Sequence, residues 1–469
     1  MVFSSLSFLF VFLPILAILY FAIPKKWKNV RQYVLLAFSL LFYGAGEPLY
    51  IFLIIACVSL SWFLSKYVEK HIKWALIISI IINITPLIVT KYSGFIIENI
   101  FTLIRMDIAL PDIVMPIGIS FYTFQVITYI ADLYSGKVER QKNPFLFALY
   151  IMFFPQLIAG PIVKYSEVSE QLENPDVSWN NVKYGTGRFI IGLGKKVLIA
   201  NQAGYIASSI FSSGLDSITP GMTWLSVFAY TIQIYFDFSG YSEMAIGLGE
   251  IFGFHFPENF IDPYTSRSVS DFWRRWHVTL GRFFREYVYI PLGGNRVSKP
   301  RWVFNVFIVW ALTGLWHGAS WNFVIWGVYY GVLIVLERLT GIGKKIPGMV
   351  SWLLTFLLVC FGWGIFMCDG TTIREMSRFL GKLFFISGDI TGRVTIGSLK
   401  LRGYIPFLLA GFFASTPLWT LIRTKIKSII KGRGVMTGAV CDLFLIAVLL
   451  LSVVFLMGGT YNPFIYFRF

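Results

Sequence analysis

Apolar residues dominate this chain in runs long enough to cross a membrane as helices. Two examples occupy residues 2–23 and 350–367, and each approaches or exceeds the ~20 residues that a spanning helix needs. Short polar or basic stretches separate such runs along the whole chain, without an internal repeat. The pattern predicts an all-α multi-pass membrane protein, one integral domain over residues 1–469 with about 11 transmembrane helices plus re-entrant or interfacial helices.

The composition agrees with that prediction and excludes other classes of protein. Hydrophobic residues make up 56% of the chain and charged residues 14%, whereas soluble domains average roughly 45–50% and about 25%. A cytosolic enzyme, a secreted disulfide scaffold and a disordered protein are therefore excluded. The four cysteines (Cys57, Cys360, Cys368 and Cys441) are far apart and show no zinc-binding spacing, so we expect small core residues and no metal site.

Basic loops set a predicted topology. The N-terminal run is preceded by no positive charge and followed by a basic cluster at 25–31, which predicts an uncleaved anchor with its N-terminus outside. Further basic loops at 66–73, 137–142, 338–345 and 423–433 are placed in the cytoplasm, which leaves the C-terminus outside as well.

Two segments fit this alternation poorly. The predicted topology places residues 369–404 outside the cell although they are basic. Either the number of spanning helices before them is miscounted, or the segment is a basic external surface. The acidic segment 164–176 lacks a hydrophobic run and is predicted to be a solvated connection.

The formal net charge of +16 comes from 40 Lys and Arg residues against 24 Asp and Glu residues. In a soluble chain this excess would suggest a nucleic-acid partner. In a membrane protein it fits basic cytoplasmic loops that meet anionic lipid. We therefore expect the lipid bilayer, and no nucleic acid, as a partner.

One basic segment cannot be an ordinary span. Residues 262–301 contain eight basic residues: Arg267, Arg274, Arg275, Arg282, Arg285, Arg296, Lys299 and Arg301. We expect a helix that begins near Ser270 and Asp271 and ends by Pro291 and Gly293-Gly294. In one continuous helix, four of the arginines (Arg274, Arg275, Arg282 and Arg285) share an arc of about 100°, while Trp273, Trp276 and His277 lie on an aromatic arc.

Four arginines in a lipid-facing span would cost roughly 10 kcal/mol, at about 2.5–3.5 kcal/mol each. The segment is therefore either an interfacial helix whose arginines bind lipid headgroups, or a helix that lines a protein cavity and binds the phosphates of a soluble donor.

His317 is the candidate for chemistry among the four histidines. It lies in an apolar stretch, 310–327, with Trp310, Trp316, Trp321 and Trp326 around it, and an ionisable residue inside a membrane span is a functional hypothesis by default. Neutral imidazole accepts a proton near pH 7, so we expect His317 to act as a general base. His277 is expected to orient an acceptor or assist proton transfer.

The other polar residues are predicted to be structural. His71 is expected to be solvated and His255 to be structural, and Asp237 and Glu243 are expected to pair with buried arginines. GLGKK at 192–196 lacks the spacing of a P-loop, and the chain has no G-x-S-x-G. The glycines of GLGEIFG at 247–253 are expected to allow close helix packing.

Three motifs together resemble the membrane-bound O-acyltransferase family. They are FDFSGYSEMAIGLGEIFG, SVSDFWRRWHVTLGRFFREYVYIPLGGNR and LTGLWHGASWNFVIWG. FFPQLIAGPIVKYSE and GLGKKVLIAN add to the resemblance, which covers nearly the whole chain. YIPLGGNR and WHGASW look most similar to the bacterial branch that O-acetylates alginate and other envelope polysaccharides.

The resemblance implies a fold and a site. His317 matches the family's active-site histidine and His277 its second functional position, within a catalytic segment at 262–318. The implied fold is a ring of tilted helices around a thinned centre in the bacterial cytoplasmic membrane, with a funnel from each side meeting near His317. Acetyl-CoA would be the cytoplasmic donor, and Arg274, Arg275 and Arg282, with Trp273 and Trp276, are the candidate donor contacts.

The chain ends in PFIYFRF at 463–469, which is similar to an aromatic C-terminal motif of envelope acylation systems. In such systems the central tyrosine, here Tyr466, is proposed to carry the acyl group. A phenol ordinarily ionises at about pH 10, so it would need a base such as His317. The alternative is that this tail is an interfacial aromatic anchor.

The resemblance thus implies an acetyltransferase that acts across the membrane. The acceptor hydroxyl would belong to Tyr466 or to a serine of an extracytoplasmic SGNH-type acetyltransferase partner, which would then esterify the polysaccharide. The alternatives are a polysaccharide or acyl-intermediate transporter without chemistry, a non-catalytic scaffold, and a transferase of D-alanyl type. A transporter would be expected to show internal repeats and paired broken helices, and the sequence shows neither.

Overall fold

The protein is described by a computed structural model that covers residues 2–104, 106, 113–341, 346–386, 393–422, 435–459, 461–462 and 464–465. Throughout these residues the regular structure is helical, and no strand occurs among them. The predicted all-α class is therefore confirmed. The packing divides the chain into two compact units, one of residues 1–189 and 241–258 and the other of residues 190–240 and 259–469.

The first unit contains the N-terminal helices. They are α1 (Leu13–Ala22), α2 (Lys28–Gly44), α3 (Tyr50–Val68), α4 (Lys73–Leu87), α5 (Ser93–Leu103), α6 (Ile119–Tyr134), α7 (Pro144–Met152), α8 (Phe154–Leu157), α9 (Tyr165–Glu173) and most of α10 (Trp179–Gly194). Its core is rich in aromatic side chains: the ring of Phe154 lies 5.5–6.2 Å from those of Phe8, Phe12 and Phe42.

The second unit contains the remaining helices. They are α11 (Asn201–Phe211), α12 (Pro220–Phe252, whose last residues belong to the first unit), α13 (Val269–Arg275), α14 (Val278–Phe284), α15 (Lys299–His317), α16 (Trp321–Thr340), α17 (Gly348–Met367), α18 (Ile373–Leu383), α19 (Ile405–Ser415) and a C-terminal helix, Val435–Gly458.

Five helical segments within the described residues are long and apolar enough to cross a membrane. They are Tyr50–Val68, Lys73–Leu103, Trp321–Thr340, Gly348–Met367 and Gly438–Gly458. The pair Phe8–Ala22 and Lys25–Gly44 passes the same test together but is bent by 111°, as a broken span or re-entrant loop would be. These segments make the chain a multi-pass membrane protein, and the figure of about 11 spans stays a prediction.

Two predictions about helices α10 and α12 are confirmed within the first unit. A Cβ on Gly247 would come within 3.0 Å of the backbone of Gly185, so the glycine there does allow close helix packing. One turn away, Arg188 Nη2 lies 2.6 Å from Glu243 Oε2, so Glu243 pairs with an arginine as expected. Arg188 also binds Glu258 through Nη1.

Two predicted loops are partly helical. The segment 164–176 contains α9, whose Tyr165, Val168 and Leu172 are buried, so its description as a solvated connection was wrong. The error arose because three apolar residues at helical spacing are too few to form a visible run. The basic segment 369–404 contains the amphipathic helix α18, capped by Thr372 and Glu375.

Helices α15 and α16 pack so closely that their backbones are in contact. A Cβ on Gly314 would come within 3.0 Å of the Phe323 oxygen, and one on Gly327 within 3.0 Å of the Trp310 oxygen. Because backbone atoms cannot swing aside as a side chain can, these two glycines set the distance between the helix that carries His317 and its neighbour.

We predict that Gly327→Ala destabilises the protein by about 1–3 kcal/mol because its methyl group would overpack this contact. The matched control is Gly331→Ala, one turn further along α16, where the new methyl would meet the movable ring of Phe307 at 3.2 Å. Thermal unfolding in detergent should show a lower Tm for Gly327→Ala and a much smaller change for Gly331→Ala. Equal Tm values for the two variants would contradict the backbone contact.

Candidate active site

The basic segment is broken at its centre into two short helices. Helix α13 ends at Arg275 and α14 begins at Val278, and His277 between them has the left-handed conformation with φ 46° and ψ 54°. The prediction of one continuous helix was therefore wrong, and the shared arc of four arginines does not extend across the break. Periodicity missed the break because apolar and basic residues continue through it.

Side chains from outside α13 and α14 bind the backbone amides at the starts of these two helices. The carboxylate Oε2 of Glu337, on α16, accepts hydrogen bonds from the amides of Val269 at 2.8 Å and Ser270 at 3.2 Å. Ser268 caps the same helix by accepting from the amide of Asp271, so α13 begins at Val269, one residue before the predicted start at Ser270.

Asn259 performs the same task for α14. Its buried side-chain oxygen accepts from the Thr279 amide at 3.2 Å and from the Thr279 hydroxyl at 3.0 Å. Its backbone oxygen accepts from the Val278 amide at 2.9 Å. The first two residues of α14 are thus bound by one residue from outside the helix, and His277 is held directly before them. Sequence analysis did not identify Asn259 and Glu337 as acceptors for these amides. The only signal in the sequence was that each is a polar residue next to apolar ones.

The structure brings the rings of His277 and His317 into contact with one tryptophan. The ring of Trp316 lies 5.8 Å from that of His277 and 4.7 Å from that of His317. His317 is the last residue of α15, and both histidines are buried, with 4% and 5% of their surface exposed. The predicted pair of functional histidines is therefore assembled in one place.

Aromatic rings enclose this place. The ring of His317 lies 5.0 Å from those of Trp326 and Phe366. Trp273 packs edge-on against Trp310 and Tyr330, with ring centres 4.8 Å apart in each case. Such a shell excludes water and lowers the local dielectric constant, which strengthens electrostatic interactions within it.

A cavity of about 450 Å³ lies beside the break on the side of His277. The predicted site residues that line it are Trp273, Arg274, Trp276, His277 and Arg282. Thr313, one turn before His317 on α15, also lines it. Arg285 lines it as well, so the cavity combines three guanidinium groups with indole surface and is chemically suited to a ligand that carries phosphate and an aromatic ring.

Arg275 does not belong to the lining of this cavity. Its Nε lies 3.0 Å from Asp271 Oδ2, and its Nη1 donates to the hydroxyl of Thr265 at 3.4 Å. Arg274 also reaches Asp271, at 3.4 Å, but 74% of its side chain is exposed. The structure thus separates one of the three predicted donor arginines from the other two.

A second cavity, of about 270 Å³, lies on the side of Phe366. Gln233, Tyr461 and Ile465 are among its other lining residues. His317 itself lines neither cavity: its own helix reaches the first through Thr313, and its neighbour Phe366 reaches the second. Tyr466 lies outside the described residues, but its chain neighbour Ile465 is at this cavity.

The other two histidines lie in the first unit. His71 is exposed, as predicted, and its Nδ1 lies 2.8 Å from the backbone oxygen of Tyr134. His255 lies between carboxylates, with Nδ1 2.9 Å from Glu250 and Nε2 3.4 Å from Asp176. Among the described residues, no group of three or more His, Cys, Asp or Glu side chains is arranged to hold a metal ion.

Fold and site together define a multi-pass membrane protein with buried histidines beside a basic cavity. Residues 135–377 match the membrane-bound O-acyltransferase family, and this range includes His277, His317 and the three arginines that line the cavity. The chain belongs to this family, and it is an acyltransferase.

Relatives with curated names extend the comparison. The chain is 35% identical to a probable alginate O-acetylase of Pseudomonas putida over 100% of both proteins. It is 34% identical to a peptidoglycan O-acetyltransferase of Helicobacter pylori, over 78% of this chain and 77% of that protein. A teichoic acid D-alanyltransferase of Bacillus subtilis is 30% identical over 53% of this chain and 68% of its own.

We predict that Asn259→Leu destabilises the protein by about 1–2 kcal/mol, because a side chain of similar size then leaves the amide and the hydroxyl of Thr279 without their acceptor. Asn259→Asp keeps the acceptor atoms and adds a charge that a helix N-terminus favours, so it should lose less. Thermal unfolding and acyl transfer should fall together in the leucine variant, since Thr279 lies two residues after His277. An aspartate variant as impaired as the leucine variant would contradict this capping role.

Proposed function

We propose that this chain transfers acetyl groups from cytoplasmic acetyl-CoA to a hydroxyl acceptor on the outer side of the bacterial cytoplasmic membrane. The acetyl groups would serve O-acetylation of an extracytoplasmic polysaccharide. The observation that carries the proposal is the place of His317, which lies in an aromatic shell. Its helix lines the basic cavity through Thr313, and its neighbour Phe366 lines the second cavity together with Ile465.

The basic cavity is the proposed donor site. Acetyl-CoA carries phosphates that guanidinium groups bind through paired hydrogen bonds, which Arg274 and Arg282 could supply. Trp273 and Trp276 would add indole surface for the rest of the molecule. We assign no donor contact to Arg275, because its guanidinium group is engaged with Asp271 and Thr265.

His317 is the proposed general base. It would take the proton of the acceptor hydroxyl while the hydroxyl oxygen attacks the carbonyl carbon of the thioester. The new C–O bond forms, the C–S bond breaks, and the departing sulfur receives a proton, which leaves an acetyl ester and free coenzyme A. His277 contacts Trp316, the residue before His317, and lines the basic cavity. It would assist the proton transfer or orient the reacting groups.

The second cavity is the proposed acceptor site. The acceptor is either the hydroxyl of Tyr466 or a serine of an extracytoplasmic SGNH-type acetyltransferase, which would pass the acetyl group to the polysaccharide. We place both chain termini outside, in keeping with the basic loops, so that this cavity opens to the acceptor side. Acetyl is preferred to D-alanyl because the relatives that cover most of the chain are named for O-acetyl transfer.

The central test is His317→Ala. We expect the alkali-labile acetate of the envelope polysaccharide to fall by at least about 100-fold, the usual contribution of a general base. The matched control is His71→Ala, which removes an exposed histidine of the first unit and should leave acetylation normal at equal protein amounts. Normal acetylation in the His317 variant would refute the proposal.

The tail is tested by Tyr466→Phe, which removes only the hydroxyl. If Tyr466 carries the acetyl group, acetylation should fall as far as in His317→Ala, and labelled acetyl-CoA should no longer label the purified protein at its C-terminus. An aromatic anchor would be unaffected, because the ring is kept. Full acetylation by this variant would therefore exclude Tyr466 as the acyl carrier, and the serine of the partner acetyltransferase would be the acceptor. Tyr184→Phe, an exposed residue of the first unit, is the control.

A further inference from the structure

Helix α12 contains a fully buried acid that pairs with a lysine. Asp237 has no exposed surface and Lys196 has 3%, and the Lys196 Nζ lies 2.6 Å from Asp237 Oδ1. The prediction that Asp237 pairs with an arginine was wrong. Two charges removed from water lose several kcal/mol of hydration each, which their attraction often fails to recover, so stability alone is a weak reason for such a pair.

The second oxygen of the same carboxylate binds the C-terminal tail. Asp237 Oδ2 accepts a hydrogen bond of 2.9 Å from the backbone amide of Ile465, and Lys196 Nζ lies 5.8 Å from the ring centre of Phe464. Phe464 and Ile465 are both buried. The carboxylate thus bridges a lysine and a backbone group that lies 228 residues away in the chain.

Other contacts fix the direction in which the tail runs. Asn201 Nδ2 donates to Asn462 Oδ1 at 3.0 Å, and the hydroxyls of Ser208 and Tyr461 lie 3.2 Å apart. Of the described tail residues, Tyr461 and Asn462 contact α11, and Ile465 contacts Asp237. Among these residues the contact with Asp237 is the one nearest to the C-terminus, and Ile465 is also a wall of the second cavity.

We propose that Lys196 and Asp237 are positioning residues for the C-terminal tail. The lysine pairs with one oxygen of the carboxylate, and the other oxygen holds Ile465, and with it the tail, at the second cavity. The functional part of this inference rests on the proposed acetyl transfer through that cavity.

The chemistry of the carboxylate explains why the residue is an aspartate. An ionised carboxyl group has two acceptor oxygens, so it can accept from Lys196 and from the Ile465 amide at the same time. Asparagine has one acceptor oxygen and one donor group, so beside a lysine it could satisfy only one of the two. Without an acceptor, the Ile465 amide would be buried without a hydrogen bond at this position.

Two double variants separate tail positioning from fold stability. Both replace Lys196 with Met, so neither leaves a buried charge without its counter-ion. Lys196→Met with Asp237→Asn keeps an acceptor for the Ile465 amide, whereas Lys196→Met with Asp237→Leu has the same size without one. Comparable yield and Tm for the two proteins in detergent establish that the comparison is fair.

The first measurement is digestion of the purified full chain with a carboxypeptidase, followed by intact mass. We expect Ile465 to be lost at least tenfold faster from the leucine variant than from the asparagine variant, which should resemble wild type. The control Glu243→Gln alters another ion pair of α12 and should leave the tail protected. Equal rates of loss in the two double variants would overturn the inference.

The second measurement is acetyl transfer from labelled acetyl-CoA. A mispositioned tail should lower kcat in the leucine variant at least tenfold with little change in the KM for acetyl-CoA, and the asparagine variant should restore kcat. An unchanged kcat in the leucine variant would overturn the positioning role. If wild type itself transfers no acetyl group, the proposed function fails instead, and the carboxypeptidase result still decides whether Asp237 holds the tail.

Discussion

The candidate site depends on one constraint: a backbone amide that is buried away from water must find an acceptor. The break at His277 interrupts a helix and so releases amides at the start of α14, and α13 brings its own. Glu337 and Asn259 accept from these amides. Without Asn259, the start of α14 would add unmet hydrogen bonds to the backbone strain of the left-handed His277. Glu337 binds the first amides of α13, so the two acceptors stabilise the starts of the helices on either side of His277.

Packing then fixes the second histidine relative to the first. His317 ends α15, and α15 is held against α16 at the backbone distance that Gly314 and Gly327 allow. Helix α16 also contributes Trp326 to the shell around His317 and Glu337 to the start of α13. A single helix thus contacts both sides of the site, so a shift of α16 would displace the break and the His317 shell together.

The sequence was sufficient for the class of fold and for much of the site because both depend on local composition. Long apolar runs indicate a membrane protein whatever their packing, and His317 with its neighbouring tryptophans is visible within 18 residues. Arg274 and Arg282 were found because their charge is costly in lipid. The break at His277, the caps Asn259 and Glu337, and the lysine partner of Asp237 were missed because each depends on residues that meet only in the folded chain.

The charged residues of the second unit illustrate the same limit. By sequence Arg274, Arg275 and Arg282 are equivalent, but in the structure Arg275 binds Asp271 and Thr265, whereas the other two line the cavity. Asp237 likewise appears as an isolated acid in an apolar run, yet its two oxygens join a lysine to the chain terminus. The composition therefore gives only the number of charged residues. The role of each one follows from the residues that it contacts in the folded protein. In apolar surroundings each charged side chain must either form an ion pair or face a polar cavity, because burying it without a partner costs too much free energy.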